Sequence, residues 1–336
     1  MKEGEIKMIR FGIIGTNTIT TKFIEDSRTL PNFSLTAVYS RTKDRAKEFA
    51  SKYNVDTTFT DLECMAKSDV IDAVYIASPN SFHADQAILF MKHGKHVLCE
   101  KPISSHTKEV ETMIQTAKKH NVVLMEALKS TLLPNFQTIQ NNIHKIGKVR
   151  RYFASFCQYS SRYDAYKEGT ILNAFNPALS NGALMDIGVY CIYPMVVLFG
   201  APSHVQANAY LLDSGVDGEG SLLLKYAEMD AIIMYSKITN SYVPSEIQGE
   251  NGSIIIDKIS SPTKIEIRYH DGQVEDITKS QSNKTMSYET QEFIRLIQQN
   301  QLESTVNSHT ASMITIKIME EARKQIGLVF PADLRR

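Results

Sequence analysis

Lys101 stands in Glu100-Lys101-Pro102, directly after the apolar run His96-Val97-Leu98-Cys99, so an ammonium group sits where a buried strand ends. In open α/β sheets that edge is where ligands bind. A second set of titratable residues lies in Ala183-Leu184-Met185-Asp186-Ile187-Gly188-Val189-Tyr190-Cys191-Ile192, where one carboxylate interrupts an otherwise apolar helical pattern. Burying that carboxylate unpaired is expensive, and the spacing of Asp186 and Tyr190 would stack them on one helix face. Lys101 would supply the positive partner, and a nearby ammonium would draw a phenol's pKa down from about 10. Lysine, tyrosine and aspartate in this setting form a proton-handling set. The alternative for the second pair is a helix-capping Asp and a core Tyr.

The elements that position Lys101 begin far upstream. Met8-Ile9-Arg10-Phe11-Gly12-Ile13-Ile14-Gly15-Thr16-Asn17 reads as a first strand entering a tight turn and a helix, the layout of a dinucleotide-binding unit. The turn Gly15-Thr16-Asn17-Thr18-Ile19-Thr20 keeps only the first glycine of the G-x-G-x-x-G/A fingerprint. Asn tolerates a left-handed backbone best among non-glycine residues, so Asn17 could still let the chain approach a pyrophosphate, with Thr16, Thr18 and the amides around Ile19 as donors. An ordinary strand-to-helix turn fits the same residues.

The second strand ends Val38-Tyr39-Ser40-Arg41-Thr42-Lys43 with Arg45 following. A NAD site places an acid there to hold the ribose hydroxyls. Its absence, with Ser40, Arg41, Lys43 and Arg45 in its place, suits the 2'-phosphate of NADP, although NAD remains possible. The other reading is a solvated basic helical turn. Ala77-Ser78-Pro79-Asn80-Ser81-Phe82-His83 follows a further strand, which puts Ser78, Pro79 and Asn80 beside the cofactor's ribose, with Glu100 and Lys101 on the next strand. His83 begins a helix, where histidine serves capping or packing more often than catalysis.

From Met8 to about Glu126 short apolar runs alternate with helical patterns, which predicts a parallel sheet covered on both faces. After Leu128 strands dominate, at Val149 to Tyr159, Val205 to Leu212, Ser221 to Tyr226, Ala231 to Ile238, Ser253 to Asp257 and Lys264 to Tyr269. Asn251-Gly252 and Asp271-Gly272 are hairpin signals. The expected fold is α/β: an N-terminal Rossmann-type parallel sheet (1–128), then a C-terminal α+β domain (129–336) with a largely antiparallel, open-faced sheet. The last helical segment would pack back on the first domain. A sheet face carrying Leu222, Leu224, Ile232 and Met234 is expected to be buried in a homodimer.

Equal counts of acidic and basic residues, 37 each in 336, leave no net field for nucleic acid or anionic membrane. Cys64, Cys99, Cys157 and Cys191 lie far apart with no CxxC pair, so no metal is expected and reduced thiols in a cytoplasm fit best. The charged start Met1-Lys2-Glu3-Gly4-Glu5-Ile6-Lys7 does not read as a signal peptide. Ala183 to Gly200, broken by Asp186, Gly188 and Pro194, reads as a buried helix rather than a membrane span.

Ala77-Ser78-Pro79-Asn80, Glu100-Lys101-Pro102 and Gly182-Ala183-Leu184-Met185-Asp186-Ile187-Gly188-Val189-Tyr190 occur in one order along nearly the whole chain. Together they resemble the Gfo/Idh/MocA oxidoreductase family, and most closely its dimeric dihydrodiol dehydrogenase and NADP-dependent xylose dehydrogenase branch, which carries tyrosine where inositol dehydrogenases carry histidine. The resemblance implies Lys101 and Tyr190 as acid/base residues, with Asp186 orienting substrate or Lys101, and a homodimer through the second-domain sheet. Asn17 and Asn181 depart from glycines common in the family. The expected activity is hydride transfer between NADP(H) and a secondary alcohol, carbonyl or hemiacetal of a sugar, cyclic polyol or diol. Its rivals are a non-catalytic nucleotide or sugar sensor and a glycosidase that holds its nicotinamide tightly.

Overall fold

The structure is a computed structural model that describes residues 8–334; the charged segment 1–7 lies outside them. The chain forms two compact units.

The first unit comprises residues up to Ser104, Lys108–Lys129 and Ser282–His309. Its strands are β1 (Ile9–Ile14), β2 (Phe33–Tyr39), β3 (Thr57–Phe59), β4 (Ala73–Ile76), β5 (His96–Glu100) and β6 (Leu124–Ala127), in the order β3-β2-β1-β4-β5-β6 and parallel throughout. Every residue of β4 is buried because helices cover both faces, which is why its sequence is a continuous apolar run rather than an alternating one. The helices are α1 (Thr18–Ser27), α2 (Lys43–Ser51), α3 (Leu62–Lys67), α4 (His83–Lys92) and α5 (Thr107–His120). A late helix, Met286–Gln298, packs on α1, bringing Phe293 within 5.9 Å of Phe11 in a cluster with Phe23 and Phe33. The sequence reading missed β3, whose three residues carry too little pattern.

The second unit comprises Ser105–Thr107, Ser130–Gln281 and the residues from Thr310. It contains α6 (Pro134–Asn142), β7 (Val149–Cys157), α7 (Tyr163–Lys167), α8 (Val189–Phe199), β8 (His204–Leu211), β9 (Asp217–Lys225), β10 (Asp230–Ser236), β11 (Ser245–Gly249), β12 (Gly252–Ile256), β13 (Ile265–Tyr269) and β14 (Val274–Asp276). With the Met286–Gln298 helix counted as α9, the last long helix is α10 (His309–Ile326). The eight strands run β14-β13-β12-β11-β7-β10-β9-β8, antiparallel except for the β7–β10 pair. Asn251-Gly252 and Asp271-Gly272 do link neighbouring antiparallel strands, β11 to β12 and β13 to β14. The apolar stretch Pro177–Phe199 meets the length and hydropathy of a membrane span, yet 72% of its most apolar window is buried inside the chain.

The expected apolar sheet face needs correction. Ala231 pairs with Leu224 and Ile233 with Leu222, while Ile232 pairs with Leu223 and Met234 with Ser221. Leu222 and Leu224 therefore point inward and are buried, whereas Leu223 (51% exposed) and Met234 (44%) share the open face with Ile232. Paired residues share a face, so the parity of β9 could not be read without the register.

Candidate active site

In the first unit, the carboxyl ends of β1, β4 and β5 are tied together by side chains. Gly15 has φ +106°, and a Cβ there would lie 2.5 Å from the Ala77 carbonyl oxygen, so only glycine lets β1 turn so close to β4. Asn17 is extended (φ −108°), not left-handed as expected. Its side chain does the work instead. Its Oδ1 accepts from the Thr20 amide (3.1 Å) and hydroxyl (3.0 Å), capping α1, and its Nδ2 donates to Ala77 O (2.8 Å). Thr18 and Ile19 open α1 directly after this cap, and the first amides of a helix, which have no intrahelical acceptor, are the groups that can hold a pyrophosphate.

Arg45 differs from the sequence expectation of a phosphate ligand. Its Nε donates to Thr16 Oγ1 (3.1 Å), one terminal nitrogen to Thr16 O (2.8 Å), and the other to Glu48 (2.9 Å). Arg45 thus braces the Gly15-Thr16-Asn17 turn from α2. Arg41 and Lys43 are exposed beside half-buried Ser40 at the end of β2, where a 2'-phosphate would need cations. With a positive-φ glycine, a capped helix start and no acid on β2, these residues fit a dinucleotide carrying a 2'-phosphate.

Fully buried His83 connects the next two motifs: Nδ1 lies 2.9 Å from the Pro102 carbonyl oxygen and Nε2 2.9 Å from that of Ser78. Burial outweighs both carbonyls and lowers the imidazole pKa. The neutral ring donates to one carbonyl, and His83 holds the Ser78-Pro79-Asn80 turn to the Lys101-Pro102 corner rather than presenting itself to a ligand. Ser78 Oγ donates to Gln86 Oε1 (2.8 Å), while Pro79 and Asn80 remain half-buried at the edge. Glu100 also turns away from that edge. It is buried, accepts from the Tyr75 hydroxyl at 2.5 Å, and has its pKa raised by burial against the pull of Lys101, Tyr75 and Lys129. Lys101 itself is half-buried, with a cis peptide to Pro102.

In the second unit, the segment bearing Asp186 and Tyr190 departs from the α-helix the spacing predicts. Leu184–Gly188 forms a π-turn, with the Val189 amide reaching Leu184 O, before α8 begins. Asp186 thus sits inside a widened turn, where α-helical stacking at four residues does not apply. The turn is built on Asp217 of β9. Its Oδ2 accepts from the Leu184 amide (2.7 Å), and Oδ1 packs so tightly on Gly182 (φ +141°) that a Cβ would lie 2.2 Å away. Burial pushes the Asp217 carboxyl up to about 6, opposed by main-chain N–H groups and Lys237.

Lys237, two residues of chain past the last β10 tyrosine, forms an ion pair with Asp186 Oδ2. Lys237 is a partner of Asp186 that the sequence reading did not name, since its signal was a charge closing an apolar strand. Tyr190 is half-buried, its ring edge-on to Phe156 of β7 at 5.8 Å. A phenol, a carboxylate and an ammonium therefore occupy the start of one helix and the strand ends beneath it, a set able to bind hydroxyls and hold a proton.

Residues 9–128 match the family model described as oxidoreductase family, NAD-binding Rossmann fold, and residues 137–255 match the GFO/IDH/MocA C-terminal domain. The chain is 60% identical to scyllo-inositol 2-dehydrogenase (NADP(+)) IolU of Bacillus subtilis, over 97% of this chain and 99% of that protein. It is 31% identical to trans-1,2-dihydrobenzene-1,2-diol dehydrogenase of Xenopus tropicalis, over 96% and 99%. Among solved structures, a 3-ketoreductase from Actinomadura kijaniata in complex with NADP and TDP-benzene superposes with a TM-score of 0.83 at 22% identity, over 95% of this chain and 98% of that one. Aldose-aldose oxidoreductase from Caulobacter crescentus gives 0.85 at 19%, over 95% and 97%; both likenesses concern the fold. On both matched domains and on identity over 97% of its length, the chain belongs to the Gfo/Idh/MocA oxidoreductase family.

Proposed function

We propose that the chain is an NADP-dependent dehydrogenase that interconverts a secondary hydroxyl of a cyclic polyol, with inositols first among them, and the corresponding ketone. The observation that carries this is the 60% identity, end to end, with an NADP-dependent scyllo-inositol 2-dehydrogenase. The exposed cations at the end of β2 and the lack of an acid there support the choice of NADP over NAD.

In this reading the α1 start with Gly15, Thr16, Thr18 and Ile19 holds the pyrophosphate. Ser40, Arg41 and Lys43 hold the 2'-phosphate, and Ser78, Pro79 and Asn80 line the ribose. A bound nicotinamide supplies the hydride acceptor, and everything else falls to the chain. Lys101 and Tyr190 move the hydroxyl proton, one as its immediate acceptor and the other as the partner that tunes it, while Asp186 fixes the substrate by accepting from its hydroxyl groups. Arg45, Asn17 and His83 keep the three strand ends in place.

Two further parts of the proposal concern surroundings. The open face of the second unit's sheet, with Leu223, Ile232 and Met234, is the face of a homodimer. Four unpaired cysteines fit a reducing cytoplasm.

The test is a panel of inositols, aldoses and diols with NADP and NAD, followed at the nicotinamide absorbance. Oxidation of an inositol with NADP well ahead of NAD is expected. Binding of nucleotide with no turnover of any compound would support a sensor instead, and release of sugar from a glycoside without net cofactor change would support a glycosidase.

A further inference from the structure

We propose that Lys237 is a positioning residue that holds Asp186 as the hydroxyl-accepting carboxylate of the substrate site, which selects for an uncharged polyhydroxylated ring; this rests on the dehydrogenase reading above. Three features of the second unit lead there.

The main chain at Lys237 is fixed on both sides. Its amide donates to Gly218 O (2.9 Å) on β9, and its carbonyl accepts from the Ser160 amide (2.8 Å) after β7. The side chain therefore leaves from a rigid point, and its ammonium is set rather than searching.

Exposure within the ion pair is lopsided. The Lys237 side chain is 6% exposed and that of Asp186 32%. A near-buried ammonium requires a counter-charge, and here the carboxylate meets it from the more open side. The Phe175 ring, 5.8 Å from the ammonium, closes another side. Two further polar groups of the second unit lie near the pair. Asp217 on β9 has its Oδ2 committed to the Leu184 amide, and the Tyr235 hydroxyl of β10 is buried.

The outcome is a carboxylate held from behind by an ammonium, with oxygen acceptors on its more exposed side. Such a group accepts from neighbouring hydroxyls of a neutral ring. It repels a carboxylate or phosphate on the substrate. Phe175, in turn, supports Tyr163 (5.7 Å) and Tyr166 (5.3 Å) of α7, so Lys237 also underlies the aromatic wall on the 160–180 loop.

The test compares Lys237→Met, Lys237→Arg, Asp186→Asn and the Lys237→Met/Asp186→Asn double variant by steady-state kinetics on scyllo-inositol, with NADPH affinity by fluorescence. A charge-assisted hydrogen bond is the interaction at stake, so Lys237→Met should raise KM about 10–100-fold. Its kcat should fall much less, and NADPH affinity should stay as in the wild type. Lys237→Arg should recover most of the loss, and the double variant should have a KM no worse than Asp186→Asn alone. A KM unchanged in Lys237→Met, or losses that multiply in the double variant, would overturn the proposal. If Lys237→Met does not fold, Lys237→Gln, which keeps the stem and a donor, is read by the same criteria. A wild-type chain that oxidises no polyol overturns the dehydrogenase reading and this proposal with it, whereas an active wild type with an indifferent Lys237 overturns the proposal alone.

Discussion

The His83 ring nitrogen Nδ1 lies 2.9 Å from the carbonyl oxygen of Pro102, and Nε2 lies 2.9 Å from that of Ser78. One buried imidazole thus spans two strand ends that carry separate sequence motifs. Because burial lowers its pKa, the native state binds fewer protons here than the unfolded chain, whose histidine titrates near 6.5. The stability this group contributes is full above that pH and is lost as pH falls toward the folded value. Replacing His83 with Phe should remove this acid sensitivity and lower stability at pH 7.5 by about 1–3 kcal/mol through the carbonyl that loses its donor, measured by urea unfolding across pH 5 to 8.

Arg41 and Arg45 should behave differently although the sequence places them only four residues apart. Arg41 is exposed at the end of β2, whereas Arg45 braces Thr16. Arg41→Ala should weaken NADP(H) about tenfold or more with little effect on NAD(H); Arg45→Ala should weaken both through the turn. Titration of each variant with both reduced cofactors checks this, and parallel losses in Arg41→Ala would argue against a phosphate contact.

Lys101→Met and Tyr190→Phe should each depress kcat about 10²–10⁴-fold, the usual cost of removing a general acid or base. Cofactor affinity should survive both changes. If the two residues act as one unit, the double variant will be little slower than the poorer single one. Near-wild-type kcat in a folded Lys101→Met would sink the relay.

Burial pushes the Asp217 carboxyl in the folded chain up to about 6, above the ordinary carboxyl value. The native state therefore holds a proton that the unfolded chain releases, and stability from this group falls as pH rises from about 4 through 6. Asp217→Asn keeps an acceptor for the Leu184 amide and should flatten that part of the pH–stability profile. Gly182→Ala should be destabilising by about 2 kcal/mol or more, since φ is +141° and the new Cβ would meet Asp217 Oδ1. Melting curves from pH 4 to 8 test both.

The open sheet face gives a solution test. Leu223→Glu with Met234→Glu places two charges on one face of paired strands and should shift a homodimer to monomer in light scattering, without loss of far-ultraviolet circular dichroism. A wild-type chain that is already monomeric at micromolar concentration would remove the dimer from the reading.

The periodicity of the chain showed both sheets but not every strand: β4 and β5 are apolar runs buried on two faces and the Asn251-Gly252 and Asp271-Gly272 turns allow few backbone shapes, whereas short β3, β11 and β14 carry too little pattern. Glycine at 15 and the missing acid after Tyr39 were also legible, since they depend on residue type at a strand end. Side-chain partnership was not. Asn17 caps α1 and binds Ala77 in place of adopting a left-handed backbone, and Arg45 turns to Thr16. Lys237, fifty-one residues beyond Asp186, meets it only because β10 runs beneath the π-turn. Local sequence sets backbone preference within a few residues, whereas hydrogen bonds and ion pairs form between whatever the sheet register brings within about 3 Å, and that register is a property of the folded chain.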